Sequence, residues 1–169
     1  MPCGSLQRRK EGKLRYERKF SNSLWHADWT MLGGLWLVAF QDDASRKITG
    51  YGLFSSPTSQ SSVEVLKRAI EENGKPKAIL TGRDIQFYAS AVDGKEKQPT
   101  LFQRYLKENG IQHILGRVNH PQTNGKIERF FGEVKRKLHR FKSLDDLVWW
   151  YNNIRPHMSL CWDRLETPA

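Results

Sequence analysis

The chain has 169 residues, enough for one domain with a single sizeable core and too few for two full domains. A net charge of +10 and a pI near 9.8 point to a polyanionic partner, nucleic acid before membrane. The longest apolar run, Leu35 to Phe40, is far short of a membrane span, the N-terminus lacks the apolar stretch of a secretory signal, and Cys3 and Cys161 are too few for a disulfide framework or a Cys-rich zinc site. A soluble, intracellular protein is expected, cytoplasmic or nucleoid-associated.

Residues 1–20 carry seven Lys or Arg against Glu11 and Glu17 and read as a basic, flexible arm, with residues 21–169 as the core domain. From Leu24 to Met31 a bulky set (Trp25, Ala27, Trp29, Met31) alternates with a more polar one (His26, Asp28, Thr30), which is strand periodicity. Gly33-Gly34 marks a turn, Leu35 to Phe40 has strand length, Gln41 to Arg46 is a polar turn, and Lys47 to Phe54 resumes a strand pattern. Three strands in an antiparallel meander follow. A carboxylate in mid-strand, as Asp28 is, belongs at a sheet end or on a ligand.

After Pro57, Ser61-Ser62-Val63-Glu64 has capping-box form and opens a helix that Asn73-Gly74 closes. Lys77 to Thr81 is a short apolar strand, and a strand, helix and strand in that order favour a right-handed crossover into a parallel neighbour. Tyr88 to Pro99 is a long polar loop, Thr100 caps the next helix, and Ile111 to Leu115 is the fifth strand. From Asn124-Gly125 onward, Ile127, Phe130, Phe131, Val134, Leu138 and Phe141 recur at helical spacing, and the residues between them are mostly basic, with Glu128 an acid near the start. Ser143 caps a last helix that Arg155-Pro156 ends.

The run Asn124-Gly125-Lys126-Ile127-Glu128-Arg129-Phe130, preceded by His120-Pro121-Gln122-Thr123, resembles the third-acid motif of the retroviral-integrase and insertion-sequence-transposase superfamily. Trp25-His26-Ala27-Asp28-Trp29-Thr30 resembles its first-acid strand, and Asp42-Asp43-Ala44-Ser45-Arg46, Asn152 to His157 and Thr167-Pro168-Ala169 match further parts of such cores. The resemblance covers roughly residues 24–169 and implies an α/β, ribonuclease H-like fold: a five-stranded mixed sheet, three antiparallel strands then two parallel, flanked by helices. At the second acid the chain departs from the pattern. The family reads Thr-Asp-x-Gly-x-Gln/Glu-Phe where this chain reads Thr81-Gly82-Arg83-Asp84-Ile85-Gln86-Phe87, so Asp and Gly have exchanged places. Were the chain extended there, the carboxylate would be displaced by about 6.6 Å along the strand, and weakened catalysis is the expectation.

The resemblance implies metal-dependent polynucleotidyl transfer, DNA end cleavage and strand transfer in DNA integration. Asp28, Asp84 and Glu128 would be the catalytic and metal-binding residues for Mg²⁺ or Mn²⁺, with two ions ~3.5 to 4 Å apart expected from this chemistry. The basic residues Lys126, Arg129, Lys135, Arg136, Lys137 and Arg140 are the candidate DNA contacts. The partners implied are element ends and target DNA, with a homo-oligomer, dimer or higher. His26 reads either as support for Asp28 or as a packed strand residue. Two alternatives stand beside this reading: a catalytically impaired DNA-binding remnant, with Gly82 at the second-acid position, and a hydrolytic nuclease of the same fold.

Overall fold

A computed structural model describes residues 18–90, 97–116, 124–157, 160 and 166–169. Residues 1–17 of the expected arm, the middle of the 88–99 loop and the His120-Pro121-Gln122-Thr123 lead-in lie outside the described residues.

The three-stranded meander forms as its alternation dictates: β1 (Trp25–Leu32), β2 (Leu35–Asp42) and β3 (Ile48–Phe54) pair antiparallel. Gly33 and Gly34 make the first turn at φ of 58° and 83°, the left-handed region that glycine enters without a Cβ clash. Helix α1 (Ser59–Asn73) crosses to β4 (Ala78–Thr81), and α2 (Leu101–Glu108) leads to β5 (Gln112–Leu115), giving the strand order β3-β2-β1-β4-β5 with β1, β4 and β5 parallel. The fold is the expected ribonuclease H-like mixed sheet with flanking helices. Helices α3 (Gly125–Lys137) and α4 (Leu144–Asn153) complete it.

Both faces of the sheet are covered. Trp25, Ala27, Val38, Phe40 and Ile79 pack with Val65, Leu66 and Ala69 of α1 and Phe102 and Leu106 of α2. On the opposite face Leu37, Ala39 and Ile48 pack with Ile127, Phe130, Phe131 and Val134 of α3 and Leu147, Val148 and Tyr151 of α4. Strands buried on both sides need apolar residues at consecutive positions, which is why β2 reads as an unbroken run from Leu35 to Phe40.

Two local boundaries differ from the sequence reading. The α1 cap is Thr58, whose hydroxyl accepts from the Ser61 N–H at 3.0 Å, so the helix begins before the Ser61-to-Glu64 box. Thr58 wins because it directly follows Pro57 and is itself extended, as a cap must be. Helix α3 stops at Lys137, followed by a 3-10 turn over Leu138–Arg140, so Phe141 and Arg140 lie beyond the α-helix. The Thr100 capping box and the Ser143 cap form as expected.

Candidate active site

Asp28 lies on the α3 face of the sheet. Its cross-strand partner is Ala39, which packs with Ile127 and Phe130, whereas the neighbouring pair Trp29 and Val38 lies on the α1 side. Strand pairing of β1 with β4 ends at Ala27 opposite Thr81. Asp28 is therefore the first residue past the last shared pair, at the carboxyl end of β4, where the parallel strands separate and open a crevice. Its Oδ1 accepts from the Trp29 N–H at 2.8 Å, and Oδ2 accepts from Asn124 Nδ2 at 3.3 Å. Asn124 starts α3 but makes no side-chain cap bond to the helix, and its amide is turned to the acid instead.

Asp84 does not lie a further strand step away, because the chain is no longer extended there. The strand ends at Thr81, and the Asp84 carbonyl accepts from Phe87 N and Tyr88 N at 2.9 Å each, starting a turn. Its side chain folds back over Gly82, so that a Cβ placed on residue 82 would stand 2.9 Å from Asp84 Oδ2. The assumed displacement of the carboxylate along an extended strand is thereby corrected. Glu128 is exposed in the first turn of α3, and the Asn124 carbonyl accepts its N–H at 3.1 Å.

Asp28 feels the other two acids. Burial pushes the Asp28 carboxyl up to about 6, the Trp29 N–H opposes that rise, and the negative charges of Asp84 and Glu128 add to it. Like charges gathered without a compensating cation are the electrostatic condition of a cation site, and oxygen-only donors suit Mg²⁺ or Mn²⁺. Among the described residues no three His, Cys, Asp or Glu side chains are grouped closely enough to hold an ion as they stand. The donor set fits a divalent cation in chemistry, with Asp28 fixed by its hydrogen bonds and the exposed Asp84 and Glu128 able to rotate.

The basic residues separate into two kinds. Lys126, expected to face DNA, instead places Nζ 2.5 Å from Asp43 Oδ1, a carboxylate wholly buried in the β2–β3 turn. Arg136 and Lys137 are drawn to Glu133, Lys137 at 2.8 Å, and Lys137 also lies over the Trp150 ring. Arg129, Lys135 and Arg140 are exposed, and among the described residues no acid pairs with them. Lys135 follows Glu128 by seven residues and so lies on the same stripe of α3. Gly132 lies between them, and a Cβ added there would meet nothing within 4 Å.

Sequence reasoning assigned no role to Asp43, although it quoted the turn that holds it. His26, which shares the Asp28 face, gives its Nε2 to Asp43 Oδ1 at 2.6 Å and does not touch Asp28 in any described bond. Burial raises the Asp43 carboxyl, but the hydrogen bonds from His26, Lys126 and the Arg18 N–H overcome this and hold it far below the usual carboxylate range. His113 was also missed. It sits on the other face with Nε2 2.8 Å from Thr81 Oγ1, where burial pulls its imidazole down to about 4.

A family model described as an integrase core domain matches residues 19–121, and a second model of the same description matches residues 109–163. The chain belongs to the integrase core domain family. Among curated relatives it is 26% identical over 175 residues to the transposase for transposon Tn552 of Staphylococcus aureus, covering 90% of this chain and 35% of that protein. The chain thus spans about a third of the length of that relative. Among solved structures, the HTLV-2 integrase catalytic core domain in complex with magnesium, in its trimeric form, superimposes with a TM-score of 0.66 at 20% identity, covering 87% of this chain and 93% of that one. A chain of the simian T-cell lymphotropic virus intasome gives a TM-score of 0.72 at 19% identity, covering 90% and 57%. At those identities the structural likeness speaks for the fold, and the integrase core fold of this chain agrees with it.

Proposed function

We propose that the chain is the catalytic core of a transposase that cuts and joins DNA ends with Mg²⁺ or Mn²⁺, using Asp28, Asp84 and Glu128. The observation that carries this reading is the position of Asp28 at the end of β4, where burial first and then the charges of Asp84 and Glu128 hold its carboxyl up near 6. The magnesium in the HTLV-2 core structure supports the choice of ion.

In strand transfer a DNA 3′-hydroxyl oxygen forms a bond to phosphorus while the opposite phosphorus–oxygen bond breaks, the hydroxyl proton being lost and the departing oxygen leaving as a 3′ end. Bound divalent ions would lower the pKa of the attacking group and neutralise charge on the leaving oxygen. Within the chain, Asp28 is the fixed ligand, oriented by Trp29 N–H and Asn124. Glu128 comes from α3, and Asp84 returns over Gly82 from the turn after β4. Lys135 and Arg129 would take backbone phosphates, and the bare helix surface at Gly132 lets a strand lie close beside Glu128. A basic chain meeting phosphates through Lys and Arg binds with steep salt dependence and little sequence preference. A dimer or higher assembly acting on element ends inside the cell completes the proposal, in keeping with the trimeric form of the HTLV-2 core.

The test is a labelled DNA end incubated with the chain and Mn²⁺, followed by product sizing. Joined products that vanish in Asp28→Asn and in Glu128→Gln support the proposal. Cleaved but never joined ends would identify a nuclease, and retained DNA binding with no metal-dependent product would identify a binding remnant.

A further inference from the structure

One buried carboxylate links the strand that carries Asp28 to the helix that carries Glu128. Asp43, in the turn after β2, has a side chain with no exposed surface, and its Oδ1 lies 2.6 Å from His26 Nε2 and 2.5 Å from Lys126 Nζ. Its Oδ2 accepts the Arg18 N–H at 2.6 Å, and Arg46 NH1 lies 3.8 Å from Oδ1. His26 stands two residues before Asp28 on β1, and Lys126 stands two residues before Glu128 on α3. The same oxygen therefore holds each element two residues before its acid.

The geometry of α3 gives this bond a mechanical consequence. Two residues on an α-helix are about 200° apart around the axis, so Lys126 and Glu128 flank the buried Ile127 stripe on opposite sides. Rolling the helix one way would pull Lys126 from Asp43 and carry Glu128 toward the sheet, and the opposite roll, which lifts Glu128, would drive Lys126 against Asp43, so the bond at one edge of the stripe fixes the height of the other. The other ties at the start of α3 lie on the Ile127 stripe and at Asn124, whose amide reaches Asp28 at 3.3 Å and gives the helix no side-chain cap. We propose that Asp43, through Lys126 and His26, fixes the roll of α3 on β1 and so sets where the Glu128 carboxylate stands relative to Asp28. Lys126 is then a positioning residue rather than a DNA contact. This rests on the metal-site reading above only for its consequence in ion binding, since the clasp itself is a property of the ion-free chain.

Lys126→Met removes the ammonium and keeps the length of the side chain, and Asp43 keeps His26, Arg46 and the Arg18 N–H, so the fold should survive. Hydrogen exchange without metal should then quicken at the backbone amides of residues 128–131, the first whose N–H groups bond back into the opening turn, and stay unchanged across the second half of α3. Calorimetry with Mn²⁺ alone should show affinity reduced ~10- to 100-fold, the size usual when a group that orients a ligand is lost. The salt dependence of DNA binding should match the parent. Lys126→Arg, which keeps the charge, should recover most of the Mn²⁺ affinity and restore protection of the first turn.

Parent-like exchange and parent-like Mn²⁺ affinity in Lys126→Met, with the DNA salt slope reduced by about one, would overturn the clasp and return Lys126 to the DNA surface. An arginine variant as impaired as the methionine variant would also overturn the ionic part of the argument. A parent that binds no Mn²⁺ would defeat the metal-site reading alone, because the exchange measurement still decides whether the clasp exists.

Discussion

Asp28→Asn should stabilise the metal-free protein while removing its metal site. The Asp28 carboxyl is pushed from 3.8 up to about 6 by burial and by the charges of Asp84 and Glu128. An acid whose folded pKa is raised binds its proton more tightly in the folded state, so stability falls as pH rises from about 4 to 6 and then levels. Roughly two units at 1.36 kcal/mol each give an upper figure of about 3 kcal/mol, and solvent at the mouth of the crevice reduces it to about 2 kcal/mol. Asparagine removes that cost with little new strain. Its carbonyl can keep the Trp29 N–H, and its amide can donate to the Asn124 Oδ1, a buried oxygen with no hydrogen-bond partner, once the Asn124 amide turns over. Urea unfolding in EDTA should show parent and variant alike near pH 4 and the variant ahead by about 2 kcal/mol at pH 8, or ~4 to 8 °C in Tm. Saturating Mn²⁺ should reverse the order, since only the parent gains from binding. A variant no more stable than the parent at pH 8 in EDTA would refute the claim that burial and the neighbouring acids destabilise the charged Asp28.

Gly82→Ala adds only the Cβ that would stand 2.9 Å from Asp84 Oδ2, and it should displace that carboxylate and cut Mn²⁺ affinity by ~10-fold or more with little change in stability; calorimetry showing parent affinity would mean that Asp84 plays no part. For DNA, Arg129→Ala with Lys135→Ala should lower the slope of log affinity against log salt by about 2, as expected for two phosphate contacts. Arg136→Ala with Lys137→Ala should change it less, because Glu133 already engages both cations. Equal slopes for the two pairs would show that the ion pairs with Glu133 open freely on binding.

The fold was legible because its signals are local and agree with one another. Alternation in β1, the apolar run of β2, the paired glycines between them and the stripe Ile127, Phe130, Phe131, Val134 each specify one element, and the core clusters use those residues as read. Of the three acids, Asp28 and Glu128 were matched through the likeness of their neighbours to the family's motifs, while strand parity and helical spacing decide only which way each faces. The errors came where several residues competed for one role or where the partner is distant in sequence. Thr58, Ser61 and Ser62 are all capable caps, and only the backbone at Thr58 selects among them. The basic face of α3 hid a division that no helical projection shows, because Asp43 is 83 residues from Lys126 and is buried by a turn whose own role was unread.

The exchange at Gly82 and Asp84 has a sharper physical reason for being opaque. Read along the chain, it is two independent losses, an acid missing from one position and a glycine missing from another. In space the two changes depend on each other. The carboxylate on residue 84 reaches back over residue 82 only because the chain turns after Thr81, and it finds room only because residue 82 has no Cβ. An acid at 84 with a side chain at 82 would have to shift its carboxylate, and a glycine at 82 with no acid at 84 would leave the end of β4 without its carboxylate. Gly82 is not at positive φ, so its backbone does not demand glycine. The demand comes from the side chain two residues later. On the proposed reading the pair is therefore a single relocation of the second acid, and neither change preserves the site without the other.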